Sequence, residues 1–243
     1  MAAQRTPDGP PPPPAVQKLR IQYARRGRLR YSSTRDFGRA LERALRRSGV
    51  PMAYSAGFHP HPKISYANGA ATGAASEAEY FEISVTEQVD PAVVATALDE
   101  ALPDGLDIIS VVEAEPGALA DRLQASRWLL EFPGVELADL EVAVAGFLAE
   151  ERIEVERMFK KGLKSYDARG PVERAVTGVG EDGCAILTMV VRHTTPAVRP
   201  DDVLSAITAA TSFAPPQSPK ATRLAQGIWS SETESVADPL AAI

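Results

Sequence analysis

The chain has 243 residues, 44% hydrophobic and 24% charged, which suits a soluble globular protein with one large or two small domains. Its single cysteine, Cys184, excludes an intramolecular disulfide and the Cys-rich ligation that iron–sulfur clusters or structural zinc would require of this chain alone. No apolar run approaches the roughly 18 residues that cross a bilayer, so the expectation is a cytoplasmic protein with no membrane contact, metal or cofactor.

The net charge of −6 conceals a segregation. From Lys18 to Lys63 twelve basic residues face only Asp36 and Glu42, a surplus of +10 that leaves −16 on the remainder. Such asymmetry presents one face to an anion and keeps the rest acidic for solubility.

The chain opens with "MAAQRTPDGPPPPPAVQ", a proline-rich leader read as disordered over residues 1–17. "KLRIQYARRGRLRY" alternates as two strand arms turning at Gly27, or as one long bent strand. "SSTRDFGRALERALRRSG" reads as a helix with Ser33 as N-cap, Asp36 three residues on and Gly49 as C-terminal cap. Phe37, Ala40, Leu41, Ala44 and Leu45 form its apolar stripe. Arg35, Arg39, Arg43 and Arg46 fall opposite, within about 80° of one another at 100° per residue. "VPMAYSAGFHPHPKISYA" gives a short strand, a proline-stiffened loop and a second short strand. "EAEYFEISVTEQ" is a strand, "DPAVVATALDEALPDG" a helix capped by Asp90 with Pro91 at its first position, and "LDIISVVEAE" a strand. The order is β-α-β-β-α-β, the split βαβ of a ferredoxin-like fold.

The second half repeats that order. "SRWLLEFPG" is a strand, "LADLEVAVAGFLAEE" a helix and "RIEVERMFKKG" the next sheet strand. "KSYDARGPVERAVTGV" is extended, leading to the strand "CAILTMVVRH". The helix "RPDDVLSAITAATSF" and closing strand "KATRLAQGIW" follow. The expected fold class is therefore α+β, with tandem ferredoxin-like (βαββαβ) domains and antiparallel sheets. The expected boundaries are 18–116 for a basic first domain, 117–229 for the second and 230–243 for a disordered tail.

Two segments could carry chemistry. The arginine helix could be a solvated face, but the reading places no acid among its four arginines, leaving little i,i+4 relief from their repulsion. With Arg25, Arg26, Arg28 and Arg30 of the preceding arm they suit a polyanion such as RNA, which would supply the counter-charge. The loop Tyr54–Tyr66, "YSAGFHPHPKISY", allows several readings. A metal would need a third ligand beside His59 and His61, and nearby acids are scarce. General acid–base work by His59 and His61 beside Lys63 could support metal-independent RNA cleavage. Recognition is the preferred reading. Pro60 and Pro62 hold the backbone extended, Tyr54, Phe58 and Tyr66 offer ring faces, and His59, His61 and Lys63 can bond phosphates or base edges. A purely architectural loop would instead bury Phe58 as a plug. The glycines of "NGAATGAAS" lack the GKS/T of a phosphate loop. Lys160, Lys161, Lys164 and Arg169 make either a smaller second anion contact or an ordinary basic hairpin, and Cys184 is expected in the core.

The stretch from "GRLRYSSTRDFGRALERALRRSG" through "GFHPHPKIS" to "EYFEI" resembles the DUF2344 family, the radical SAM-linked proteins. The likeness is dense from Lys18 to Ile83 and looser over "KSYDARGPVERA" and "RPDDVLSAI", about 210 residues in all. It implies an accessory role beside a B12-binding radical SAM enzyme, and names a partner class rather than a reaction. Where the family pattern carries a histidine between matches to Ser33 and Asp36, this chain has Thr34. The family's small apolar run is replaced by Gly69–Gly73, while the "GFHPHPKIS" core is intact. The leading expectation is a non-catalytic RNA-binding accessory protein. The alternatives are a metal-independent RNA endonuclease using His59 and His61, and a protein–protein adaptor whose arginines meet an acidic patch.

Overall fold

The computed structural model describes residues 11–241. The first ten residues of the leader lie outside that range. The chain divides into two compact units. One comprises the N-terminal segment through Thr72, Ala78–Leu119 and the chain from Leu240 on; the other comprises Gly73–Glu77 and Ala120–Pro239. No helix among the described residues is long and apolar enough to cross a membrane.

The first unit contains β1 (Gln17–Arg25), α1 (Thr34–Arg47), β2 (Ile64–Ala67), most of β3 (Ala75–Val85), α2 (Pro91–Ala101) and β4 (Ile108–Glu113). Its strands lie in the order β4-β1-β3-β2. β4 runs antiparallel to β1 with Ile21 opposite Val111, and β2 antiparallel to β3 with Ile64 opposite Ile83. The helix starts as its sequence requires: the Ser33 backbone N–H and hydroxyl both donate to Asp36, whose own N–H donates to the Ser33 hydroxyl. This reciprocal box satisfies helix-start donors that would otherwise face only water. The Ser33 hydroxyl, then its backbone N–H, hold the Asp36 carboxyl below the usual carboxylate range.

The apolar stripe of α1 lies on the sheet. Phe37, Leu41, Ala44 and Leu45 are buried, and the Phe37 ring stacks on Tyr23 of β1 with centroids 4.3 Å apart. Phe81 of β3 meets both rings edge-on. Because Phe37 joins helix to sheet in this aromatic cluster, Phe37→Ala is expected to cost about 3–5 kcal/mol, read as a lower urea midpoint by circular dichroism.

Two expectations for this unit change. Past Arg25 the chain does not make a second strand arm. It turns at Gly27, with φ +54°, into a 3-10 helix over Gly27–Tyr31. "VPMAY" forms only isolated bridges, Met52 to Val85 and Tyr54 to Pro62.

The second unit contains α3 (Leu119–Arg122, apart from its first residue), β5 (Ala125–Phe132), α4 (Leu137–Ala149), β6 (Glu154–Phe159), β7 (Gly162–Asp167), β8 (Val172–Val179), β9 (Ala185–Arg192), α5 (Pro200–Thr211), β10 (Lys220–Ser230) and β11 (Ser235–Ala237). Its main sheet runs β10-β5-β9-β8 in antiparallel pairs. Ala75 and Ser76 pair parallel with Thr222 and Arg223. Here the strand after α4 is corrected. "RIEVERMF" pairs only with "GLKSYD" as a separate hairpin, closed through Lys160-Lys161, and "VERAVTGV" takes the sheet position beside β9. Both segments alternate, and alternation alone does not decide which one joins the sheet.

The tail is the other correction. Instead of lacking structure from Ser230 on, Ser235–Ala237 pairs antiparallel with β10 as β11. Gly227 permits this approach, since a Cβ there would strike the Ala237 carbonyl. The molecule is thus an α+β protein built on mostly antiparallel sheet.

Candidate nucleic-acid interface

The solvent side of α1 carries Arg35, Arg39, Arg43 and Arg46, all exposed. Among the described residues Arg35, Arg39 and Arg43 form no ion pair. Arg46 does, with Glu42 at 3.8 Å, an i,i+4 contact on the same stripe. Glu42 therefore corrects the reading of an acid-free stripe. Arg47, also exposed, is engaged by the next helix: its guanidinium donates to the carbonyl of Ala101, the last residue of α2, and so closes that helix end.

The arm before α1 splits by burial. Arg25 is only 4% exposed, and it donates to the carbonyls of Ala70 and Ala71, both at 3.0 Å. It braces the glycine-rich turn rather than facing a ligand. The same turn is also held by the Glu79 carboxylate, which accepts from the Ala70 N–H. Arg26 is exposed but paired with Asp107 at 2.6 Å. Arg30 donates to the Tyr31 hydroxyl at 2.7 Å and lies 4.8 Å over that ring, while Arg28 is exposed.

The histidine loop is a narrow antiparallel excursion. Ser55 N–H donates to the His61 carbonyl and Lys63 N–H to the Ala53 carbonyl, both at 2.8 Å. His61 N–H donates to the Ser55 hydroxyl at 3.0 Å. Gly57, with φ +131°, supplies a turn that a side chain would strain. Ala56 to His61 all face solvent, with Phe58 61% exposed at the tip. Phe58 is thus no core plug. Lys63 is exposed and Tyr54 half-buried at the loop base.

Tyr66, on β2, presents one face outward at 42% exposure and sets its other against Phe37, with centroids 5.9 Å apart. Burial, then the nearby Glu42 carboxylate, push its hydroxyl above the usual phenol range. A cleft of about 270 Å³ joins helix and loop. Glu42, Leu45 and Arg46 of α1 form one wall, and Met52, Tyr54 and Pro62 the other. Among the sequence-predicted residues, Arg46 and Tyr54 therefore line one cavity. Arg25 does not reach the surface, and Arg26 is neutralised upon it. No group of three or more His, Cys, Asp or Glu residues that could hold a metal occurs among the described residues.

Residues 18–200 match the model of a family described as "Uncharacterized protein conserved in bacteria (DUF2344)". The chain belongs to the DUF2344 family. The matched span contains all of α1, the histidine loop and the β6–β7 hairpin. A search of curated proteins finds no match.

Elsewhere in this DUF2344 protein the remaining candidates lie in the second unit. The third histidine, His193, lies in the second unit, with its ring nitrogens 2.8 Å from the Ser126 hydroxyl and 2.7 Å from the Leu123 carbonyl. Burial holds its pKa below the ordinary imidazole value. Arg169 donates to the Val172 carbonyl, and Lys164 lies over the Phe159 ring. Lys160 and Lys161 are exposed at the hairpin tip. Cys184 is half-buried rather than in the core. The roles of Glu42 and Arg25 were the ones sequence reasoning missed. Glu42 follows Arg35 by seven residues, two helical turns, and that spacing alone places it on the arginine stripe.

Proposed function

We propose that this DUF2344 protein binds single-stranded RNA through the exposed arginines of α1 and the tip of the histidine loop, and presents it to a separate radical SAM enzyme. The carrying observation is Phe58: a large ring 61% exposed at a loop tip, whose base shares a cleft with the arginine helix. Exposed rings beside cations suit single strands, since every base offers a face to stack and every linkage a phosphate. Arg28, Arg35, Arg39, Arg43, Arg46 and Lys63 supply backbone charge; Tyr54, Phe58, His59 and His61 meet bases or sugars. The radical SAM partner rests on the family resemblance described above.

The same strand permutation in both units, β4-β1-β3-β2 and β10-β5-β9-β8, supports reading them as tandem ferredoxin-like domains joined near residues 116–117. The β6–β7 hairpin is then an insertion in the second.

Filter binding of a single-stranded RNA across a salt series tests the reading, with Phe58→Ala as the decisive variant. The wild type should weaken steeply with salt. Phe58→Ala should lose about tenfold in affinity through lost stacking, with its urea midpoint unchanged because the ring buries little. No binding at low salt, or a flat salt response, would sink the proposal. RNA cleavage in EDTA that disappears with His59→Ala or His61→Ala would replace binding by nuclease action. Nuclease-resistant co-purification with an enzyme, free of RNA, would favour an adaptor.

A further inference from the structure

The arginine stripe contains a residue that a phosphate-binding surface should not want. Glu42 stands two turns from Arg35 and one from Arg46, and it lines the cleft at the base of the histidine loop. A carboxylate repels phosphate, so on a surface that grips RNA it weakens backbone contact. Its contact with Arg46 does not explain it. At 3.8 Å this exceeds the roughly 2.7–2.9 Å of a charge-assisted hydrogen bond, and both side chains are well exposed, at 40% and 69%. Among the described residues Glu42 makes no hydrogen bond, so its partly exposed carboxylate keeps its acceptor capacity for a ligand.

The cleft states what kind of ligand. At about 270 Å³ it falls just short of the roughly 300 Å³ where pockets for drug-sized molecules begin, room for one heterocycle rather than two. Leu45, Val50, Met52 and Pro62 give it apolar surface, and Tyr54 adds a ring. Its charged groups are one carboxylate and one guanidinium side by side. A cleft lined in part by apolar side chains, with an acceptor pair beside a donor, is suited to a flat ring whose edge carries donors next to an acceptor.

From this we infer that the cleft is a guanine pocket. The inference rests on the RNA-binding reading and adds base selectivity to it. Guanine presents O6, N1–H and the N2 amino group along one edge. The two donors match the two oxygens of Glu42, and O6 matches Arg46. Adenine and cytosine each offer Glu42 one amino group beside a bare ring nitrogen, an acceptor that repels the second oxygen. Uracil offers a single N–H between two carbonyls. Glu42 thus selects the base, while Arg35, Arg39 and Arg43 hold phosphates on either side.

The test uses fluorescence anisotropy with the full chain and three labelled RNA nonamers: nine adenosines, the same with one central guanosine, and the same with inosine there, which lacks the N2 amino group. The guanosine nonamer should bind roughly tenfold more tightly than the all-adenosine one, the worth of a good bidentate pair, and inosine should forfeit most of that gain. Glu42→Gln should abolish the preference without weakening the all-adenosine nonamer. Equal affinity for all three nonamers, or a Glu42→Gln loss that falls on all alike, would overturn the guanine pocket and leave RNA binding standing. Failure of every nonamer to bind at low salt would overturn both.

Discussion

Replacing Arg35, Arg39 and Arg43 together by alanine is expected to flatten the salt dependence of RNA binding. The slope of log affinity against log salt should become shallower by about 2, because each phosphate neutralised on a single strand contributes roughly 0.7. If the contacts that survive in 1 M salt are unchanged, that slope change means on the order of 100-fold weaker binding at 0.1 M. The fold should not suffer. All three side chains are exposed and form no ion pair among the described residues, so their removal relieves repulsion and opens no cavity. Arg26→Ala is the internal control. Its guanidinium is already matched by Asp107 at 2.6 Å, and its loss should barely alter the slope. A triple variant with the wild-type slope would show that α1 does not touch the phosphates.

The contrast between Arg39 and Arg25 shows what could be read from the sequence and what could not. The start of α1 is written locally: Ser33 and Asp36 close their box within one turn, and Phe37, Leu41, Ala44 and Leu45 recur at helical spacing and are buried. Asp90 likewise caps α2, with Pro91 at its first position. These features depend on neighbours within four residues. Arg25 was counted with the surface charges because its partners, the carbonyls of Ala70 and Ala71, lie 45 and 46 residues away. Backbone carbonyls carry no sequence signature at all. The same distance problem hid the sheet place of β8, which the β6–β7 hairpin resembles in pattern, and the return of β11 onto β10. At the candidate site, the exposure of Phe58 and the cleft beneath it follow from how the loop leaves the sheet, and no periodicity reports that.

A stability effect as large as that of Phe37→Ala should come from Glu82→Ala, expected to destabilise the first unit by about 3–5 kcal/mol. Arg20 is 1% exposed on β1, and its Nε donates to the Glu82 carboxylate on β3 at 3.0 Å. Its Nη2 donates to the Gly117 carbonyl at 2.6 Å. That carbonyl satisfies one donor and supplies no negative charge, so removing the carboxylate strands a buried cation. Lys18, 3.7 Å from Glu82 and half-exposed, returns to water at little cost. Glu82→Gln keeps an acceptor for Nε but loses the charge, and should fall between wild type and Glu82→Ala. Arg20→Met combined with Glu82→Leu removes both charges and should recover most of the loss, since a buried pair returns little beyond the cost of desolvating it. Urea unfolding followed by far-ultraviolet circular dichroism measures these differences. Trp128 and Trp229, the chain's two tryptophans, both belong to the second unit, so their fluorescence separates its transition from that of the first. A Glu82→Ala midpoint matching wild type, or a double variant no more stable than the single one, would mean that Arg20 does not depend on Glu82 for its burial.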